Sequence, residues 1–296
     1  MSIIEEIKSS YKGGSVLTKL LYINIAVFIV IRLLQIFFSL PSGQSGFASY
    51  PLLNWVSIPS DLLELAMKPW TLISYMFVHF NFVHLIFNML YLYWFGRIFL
   101  EFLNPRQLLG VYFLGGISGA VVYLIAYNLL PILYSYFPSA ILMGASASVM
   151  AILFSIARYM PNHTVYLLFF GPVRLKYIAL AAFIIDLISI PTLKNTGGHL
   201  AHIGGATFGY LYGGWLLQGH DVTIGFNRFM DRIVGIFKRK SKLKVSHKRP
   251  ITDMEYNARK VKKQVDVDRI LEKIKASGYD SLSKEEKKTL FDASKE

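Results

Sequence analysis

The chain has 296 residues, 54% of them hydrophobic and 15% aromatic, with a mean hydropathy of +0.44 and a formal net charge of +13. That is too apolar for an ordinary soluble domain, and an all-α polytopic membrane protein is the expected class. Cysteine is absent, which excludes a disulfide framework, a cysteine-ligated metal and a thiol nucleophile.

The first residues carry Glu5, Glu6 and Lys8 and no small-residue cleavage site after an apolar core. Residues 1–14 are therefore expected to be a short N-terminal segment and not a cleavable signal peptide. A bilayer span takes about 20 mostly apolar residues. Six such stretches follow, at about 17–40, 83–103, 107–130, 142–160, 173–192 and 198–218, so that residues 15–218 form the expected membrane domain. The long half-apolar loop at 41–82 opens with PSGQSG. Loops of that length carry function or pack on the protein, and its Trp, Phe and Leu content suits a membrane interface. Lys8, Lys12, Lys19, Arg106, Arg158, Arg174 and Lys176 fall on one side of the spans, against Lys68 and Lys194 on the other. The positive-inside rule then makes both termini cytoplasmic, and a bacterial plasma membrane is the expected location.

Past residue 218 the composition changes. Lys and Arg number 11 against 6 Asp and Glu in residues 1–218, and 20 against 12 in residues 219–296. Residues 219–241 are expected to form a basic amphipathic juxtamembrane helix, because Phe226, Phe229, Met230, Ile233, Val234 and Phe237 follow the 3.6-residue period. KRKSKLK comes next, so this helix is expected to lie on anionic lipid; a solvated basic linker is the alternative. Residues 242–264 are expected to be a disordered linker. Residues 265–296 are expected to be a short helical tail, with Gly278 ending one helix and Ser283 with Glu286 capping another. No cofactor and no nucleic-acid partner are expected.

Within the fourth span, Ser146 lies in ILMGASASVM, about 7 Å below the outer end at 1.5 Å per residue. A serine among small residues usually serves close helix packing. The sixth span, GGHLAHIGGATFGYLYGG, alters that balance. Gly205, Gly209 and Gly213 recur every four residues and make a flat face for a partner such as Gly144, Ser148 and Ala151 of span four. His202 then reaches the depth of Ser146, and an imidazole beside a hydroxyl is a general base beside a nucleophile. At the outer end of span two, His84 and Asn88 are i and i+4 on one helix face and suit a developing oxyanion; a polar pair bridging helices is the alternative. His79, His84, His199 and His202 lie near the same surface. No carboxylate with ligand spacing accompanies them, and no metal site is expected.

These segments, in this order, resemble the rhomboid family of intramembrane serine proteases. His84–Asn88 match its H-x-x-x-N pattern, Gly144-Ala145-Ser146 its G-x-S-G, and Ala201-His202-Ile203-Gly204-Gly205 its A-H-x-x-G. The resemblance covers about 15–218 and implies a six-transmembrane-helix bundle, here with a cytoplasmic basic helical tail. It implies Ser146 as nucleophile and His202 as general base, with the Ser146 amide, His84 and Asn88 as the oxyanion site. It further implies transmembrane segments of other proteins as substrates, reached laterally past span five. Several positions depart from the family pattern. Ala147 replaces a glycine, Met150 stands where an aromatic ring is frequent, and Trp70-Thr71 stand where a Trp-Arg pair is common, with no substitute in Arg97. Glu101 fits the family's buried acid. A catalytically inactive rhomboid-like protein that binds client transmembrane helices is the alternative function, and a transporter is disfavoured by the lack of internal repeats. Asp186, the one carboxylate in the middle of a span, is expected roughly 9 Å deep. Three roles stay open for it: orienting His202, lining a watery depression, or bonding across helices. It is left out of the catalytic set, and Asp186→Asn is expected to leave at least a tenth of the activity.

Overall fold

The computed structural model describes residues 3–42, 49–79, 81–136, 139–167, 171–192, 195–237 and 252–294. They fall into two compact units, Met1–Lys238 and Arg239–Glu296.

In the first unit α1 (Ile3–Gly13) leads into the long apolar α2 (Val16–Ser42). The following loop is built of short pieces: α3 (Ser49–Val56), the two-residue strand β1 (Ile58–Pro59), α4 (Leu62–Met67), α5 (Thr71–Ser74) and a 3-10 turn at Tyr75–Phe77. Next come α6 (Phe82–Phe102), α7 (Pro105–Leu129), α8 (Pro131–Tyr136), strand β2 (Ile141–Leu142) and α9 (Ser146–Tyr159). A hairpin of β3 (Thr164–Leu167) and β4 (Gly171–Arg174) joins α9 to α10 (Leu175–Ser189). A 3-10 turn at Ile190–Thr192 precedes α11 (Thr196–Leu217), and α12 (Thr223–Phe237) closes the unit.

Four of these segments are long and apolar enough to cross a membrane: Val16–Phe37, Phe82–Phe102, Pro105–Leu129 and Leu175–Thr192. The other two stretches expected to span differ for physical reasons. α11 has the length, at 22 residues, but seven glycines and two histidines lower its hydropathy. α9 has only 14 residues, about 21 Å of helix against a hydrocarbon core of about 30 Å. It is an interior helix, buried almost without interruption from Ala147 to Ala157.

α9 starts four residues later than the expected 142–160 stretch because its approach is extended. β2 pairs antiparallel with β1, Ile58 opposite Leu142. Gly144 then adopts φ +130°, outside helical space, and gives its N–H to the Tyr75 carbonyl at 2.9 Å. Three buried tyrosines fix this arrangement to α7 and satisfy their own hydroxyls. Tyr75 donates to the Gly116 carbonyl, Tyr112 to Met76 O at 2.9 Å and Tyr123 to Ala140 O at 2.9 Å.

The tightest helix contact is between α9 and α11. A Cβ added at Gly205 would collide with the Ala147 carbonyl, one at Gly209 with the Ala151 carbonyl, and one at Gly213 would lie 2.6 Å from Ser155 O. The glycine face is thus the expected one, and its partner positions are Ala147, Ala151 and Ser155. Of the expected partners only Ala151 lies there. Gly144 faces α6 instead, and Ser148 faces Gly116 of α7.

Two expectations are corrected. Glu101 is exposed beside Ser15 and Thr18 at the foot of α2 and is not a buried acid. The helix expected at 219–241 runs from Thr223 to Phe237, and it packs on the bundle as well as presenting an apolar face outward. Thr223 sits under Gly110, Phe226 meets Phe113 at 5.8 Å, and Asn227 donates to Arg106 O at 3.0 Å, whereas Phe229 and Val234 are exposed. Asp221 caps the start of α12 by accepting from Thr223 N at 2.9 Å. The KRKSKLK run lies outside the described residues.

The second unit contains α13 (Asp253–Ser277) and α14 (Lys284–Ala293), separated by a 3-10 turn at Tyr279–Ser281. Residues 253–264, expected to be part of a disordered linker, are the first half of α13. A capping box of Thr252 and Glu255 starts that helix and Gly278 ends it. Ser283 and Glu286 cap α14 as expected from their spacing, and Lys273 Nζ reaches Glu286 Oε1 at 2.9 Å.

Candidate active site

Ser146 is the first residue of α9, after the N-cap Ala145. The helix ladder begins with Val149 N to Ala145 O at 3.0 Å. The amides of residues 146–148 therefore have no partner within the helix, and they present the positive end of its dipole. The β1–β2 pairing and the Tyr75 contact hold the turn that delivers the serine.

His84 lies in the first turn of α6, where the N-cap Asn81 accepts from the His84 amide at 2.8 Å. Its imidazole presses on Gly144. A Cβ there would stand 2.9 Å from His84 Cε1 and 3.0 Å from Nε2, so at this position glycine answers both to its φ and to the ring. Buried His79 packs edge-on against His84 at 5.2 Å between centroids. One turn on, Asn88 Nδ2 donates to the His84 carbonyl at 2.9 Å.

His202 lies on α11 three residues from Gly205, so the glycine contact brings it toward the start of α9. Its Nδ1 is 2.8 Å from Asp186 Oδ1. The same oxygen is 2.8 Å from His199 Nδ1. The two imidazoles stand nearly perpendicular, 5.9 Å apart.

One cavity of about 620 Å³ between α6, α9, α10 and α11 is lined by Ser146, His202, His84, Asn88 and Asp186. All four residues singled out by the sequence reach it, along with the carboxylate whose role stood open. Of the three roles for Asp186, the bond to His202 has the geometry of the orienting one, and the bond to His199 crosses between α10 and α11 as well. His199 was set aside in the sequence as a surface histidine. The signal that would have found it is the His-x-x-His spacing, which puts both rings on one helix face. Asp186, His199 and His202 are the group among the described residues whose ligand atoms could hold a metal ion, all within 4.8 Å of one another.

Ser148 does not line this cavity. Its Oγ is buried toward Gly116 without a hydrogen-bond partner. The departures from the expected pattern are also accounted for locally. The Ala147 methyl points at Gly119 of α7, away from the cavity, where the lack of a side chain makes room for it. Met150 lines the cavity. Trp70 stacks on Trp55 at 5.8 Å and donates to Trp55 O at 2.8 Å, and Thr71 donates to Lys68 O at 2.7 Å. A largely apolar cavity that gathers a hydroxyl, two imidazoles and a carboxylate can carry out nucleophilic chemistry, with a helix N-terminus and an amide available to a developing negative charge.

Comparison with known proteins adds three findings. A family model described as Rhomboid domain matches residues 66–219. A second, described as Family of unknown function (DUF6576), matches residues 252–296, the helical second unit. RHOMBOID-like protein 12, mitochondrial, of Arabidopsis thaliana is 31% identical over 144 residues, which are 46% of this chain and 43% of that protein. The chain thus matches less than half the length of that relative.

Proposed function

Since the chain belongs to the rhomboid family, we propose that it is an intramembrane serine endopeptidase that cleaves transmembrane segments of other membrane proteins. α2, α6, α7, α9, α10 and α11 form its six-helix membrane bundle, in a bacterial plasma membrane, with both termini and the basic tail on the cytoplasmic side. Ser146 Oγ attacks the scissile carbonyl carbon while His202 Nε2 takes its proton. The oxyanion is stabilised by the Ser146 amide with His84 and Asn88. Collapse of the tetrahedral species breaks the C–N bond, and His202 returns the proton to the leaving amine. A water molecule, deprotonated by His202, then hydrolyses the ester on Ser146. A helical substrate cannot offer its carbonyl, so the substrate must unwind locally, and small or helix-breaking residues near the cut are expected.

The observation that carries this reading is the convergence of Ser146, His202, His84 and Asn88 on one cavity from three helices. It also disfavours the alternative, an inactive client-binding relative, which has no need for a hydroxyl and an imidazole in one cavity. The test is labelling of purified protein by a serine-directed fluorophosphonate, together with cleavage of a reporter transmembrane substrate. Both are expected in the wild type and absent in Ser146→Ala and His202→Ala. Cleavage that persists in Ser146→Ala, or a folded wild type that is neither labelled nor active, overturns the proposal.

A further inference from the structure

Building on the proposed protease reading, the cavity holds one more group than a serine–histidine pair requires. The Asp186 side chain is only 8% exposed, and a single one of its oxygens meets Nδ1 of both His202 and His199 at 2.8 Å. An ionised carboxylate only accepts hydrogen bonds. Each histidine therefore carries its proton on Nδ1. For His202 that leaves Nε2 with the lone pair, which is the form a general base needs. In the absence of such a partner a neutral imidazole is free to place its proton on either nitrogen.

The supporting helix makes this contact more than incidental. α10 buries only Leu175, Ala179 and Asp186 among its fifteen residues. Leu175 and Ala179 lie in its first half, so Asp186 is the one buried side chain in its second half. There it is gripped from two sides by α11, through rings three residues apart. His199 is then the second support, holding the carboxylate still while His202 does chemistry.

We propose that Asp186 is a positioning residue. It fixes His202 in the Nδ1–H tautomer, with Nε2 presented to the Ser146 hydroxyl, and it stabilises the imidazolium formed when that proton is taken. His199 anchors Asp186 for this task. The catalytic pair thereby gains a carboxylate support carried by the neighbouring helix.

The test combines tautomer and turnover on the full-length protein in detergent with a chelator present. Long-range proton–nitrogen spectra of ¹⁵N-histidine-labelled protein, with His202 assigned by loss of its signals in His202→Gln, are expected to show Nδ1–H at His202. In Asp186→Asn that signature is lost, because an amide can donate to Nδ1 and impose the other tautomer. The sequence alone leads to an expectation of at least a tenth of the activity; with the bond to His202 in place, turnover of the reporter substrate is instead expected to fall about 10²- to 10⁴-fold, by analogy with the amide replacement in a serine protease triad. KM should change less than threefold and the thermal unfolding midpoint little. Asp186→Glu is expected to recover part of kcat. Nε2–H at His202 in the wild type overturns the proposal, as does a normal kcat in Asp186→Asn that has lost the Nδ1–H signature. Loss of wild-type activity on chelation overturns it in favour of a divalent metal held by Asp186, His199 and His202. A wild type with Nδ1–H at His202 but no labelling of Ser146 supports the assignment at His202 and overturns the protease reading alone.

Discussion

Gly144 combines a φ of +130° with an α-carbon pressed against the His84 imidazole. A side chain there is strained by the backbone and drives the ring out of the cavity. Gly144→Ala is expected to lower turnover by about 10- to 10³-fold, up to the cost of losing one oxyanion donor, while the protein still inserts and folds. His84→Ala and Asn88→Ala are expected to lower kcat over the same range with less effect on KM, as steady-state cleavage of the reporter will check. Loss of folded protein with normal specific activity in the remainder would make them structural. His84, Asn88, Ser146 and His202 were legible in the sequence because motif spacing and depth suffice to bring them together. The Asp186–His202 bond was not. Counting residues along a helix gives depth, but the rotation of α10 about its own axis is set by packing, and a helix with only three buried residues carries little pattern to fix it. Glu101 shows the opposite error, an acid assigned to the interior by resemblance that faces outward here.

The contact of α9 with α11 tests how much a helix pair depends on missing side chains. Gly209→Ala places a methyl into the Ala151 carbonyl, and overpacking typically costs about 1–3 kcal/mol. A lowered unfolding midpoint with reduced activity is expected. Gly214→Ala is the control, since its Cβ would meet nothing closer than Arg158 Nε at 3.9 Å. Equal stability of the two variants would show that the contact is looser than described. The four-residue glycine period was readable, but of the expected partner positions Ala151 alone was right, and Ala147 and Ser155 were missed. A flat face offers no ridge by which a sequence could reveal register. The start of α9 at Ser146 also escaped, because its approach is set by pairing with β1, nearly ninety residues earlier. For α13 a signal was present in Thr252-Asp253-Met254-Glu255, a capping box that charge-rich surroundings obscured. In α14 the Ser283 amide and then Lys273 hold the exposed Glu286 carboxyl below its ordinary range. A carboxyl lowered on folding contributes stability above its unfolded value and loses it as pH falls through the folded one. Helicity of this unit, followed by circular dichroism, is expected to fall on acidification below about pH 4, the ordinary glutamate range, and Glu286→Gln should remove that step.

At the scale of the molecule, every group lining the cavity belongs to the first unit. Protein ending at Lys238 is expected to keep wild-type fluorophosphonate labelling at Ser146, and a folded truncation that cannot be labelled would show that the second unit serves the site. Removing residues 226–296 instead takes away all but the first three residues of α12 and strips Phe226 and Asn227 from α7. That variant is expected to unfold at a lower temperature, so the basic helix and the bundle are not separable modules. Composition and six apolar stretches made the membrane class legible at once. The division of labour among helices, with a short interior one carrying the serine, emerges only from the packing. That packing has a bearing on descent. α9 and α11 touch through glycines and backbone carbonyls, atoms every residue shares, so the spacing of Ser146 and His202 does not depend on the identity of the outer side chains. A lineage can rewrite the lipid-facing surface for a different membrane, or exchange its tail, without retuning the distance on which the proposed reaction turns.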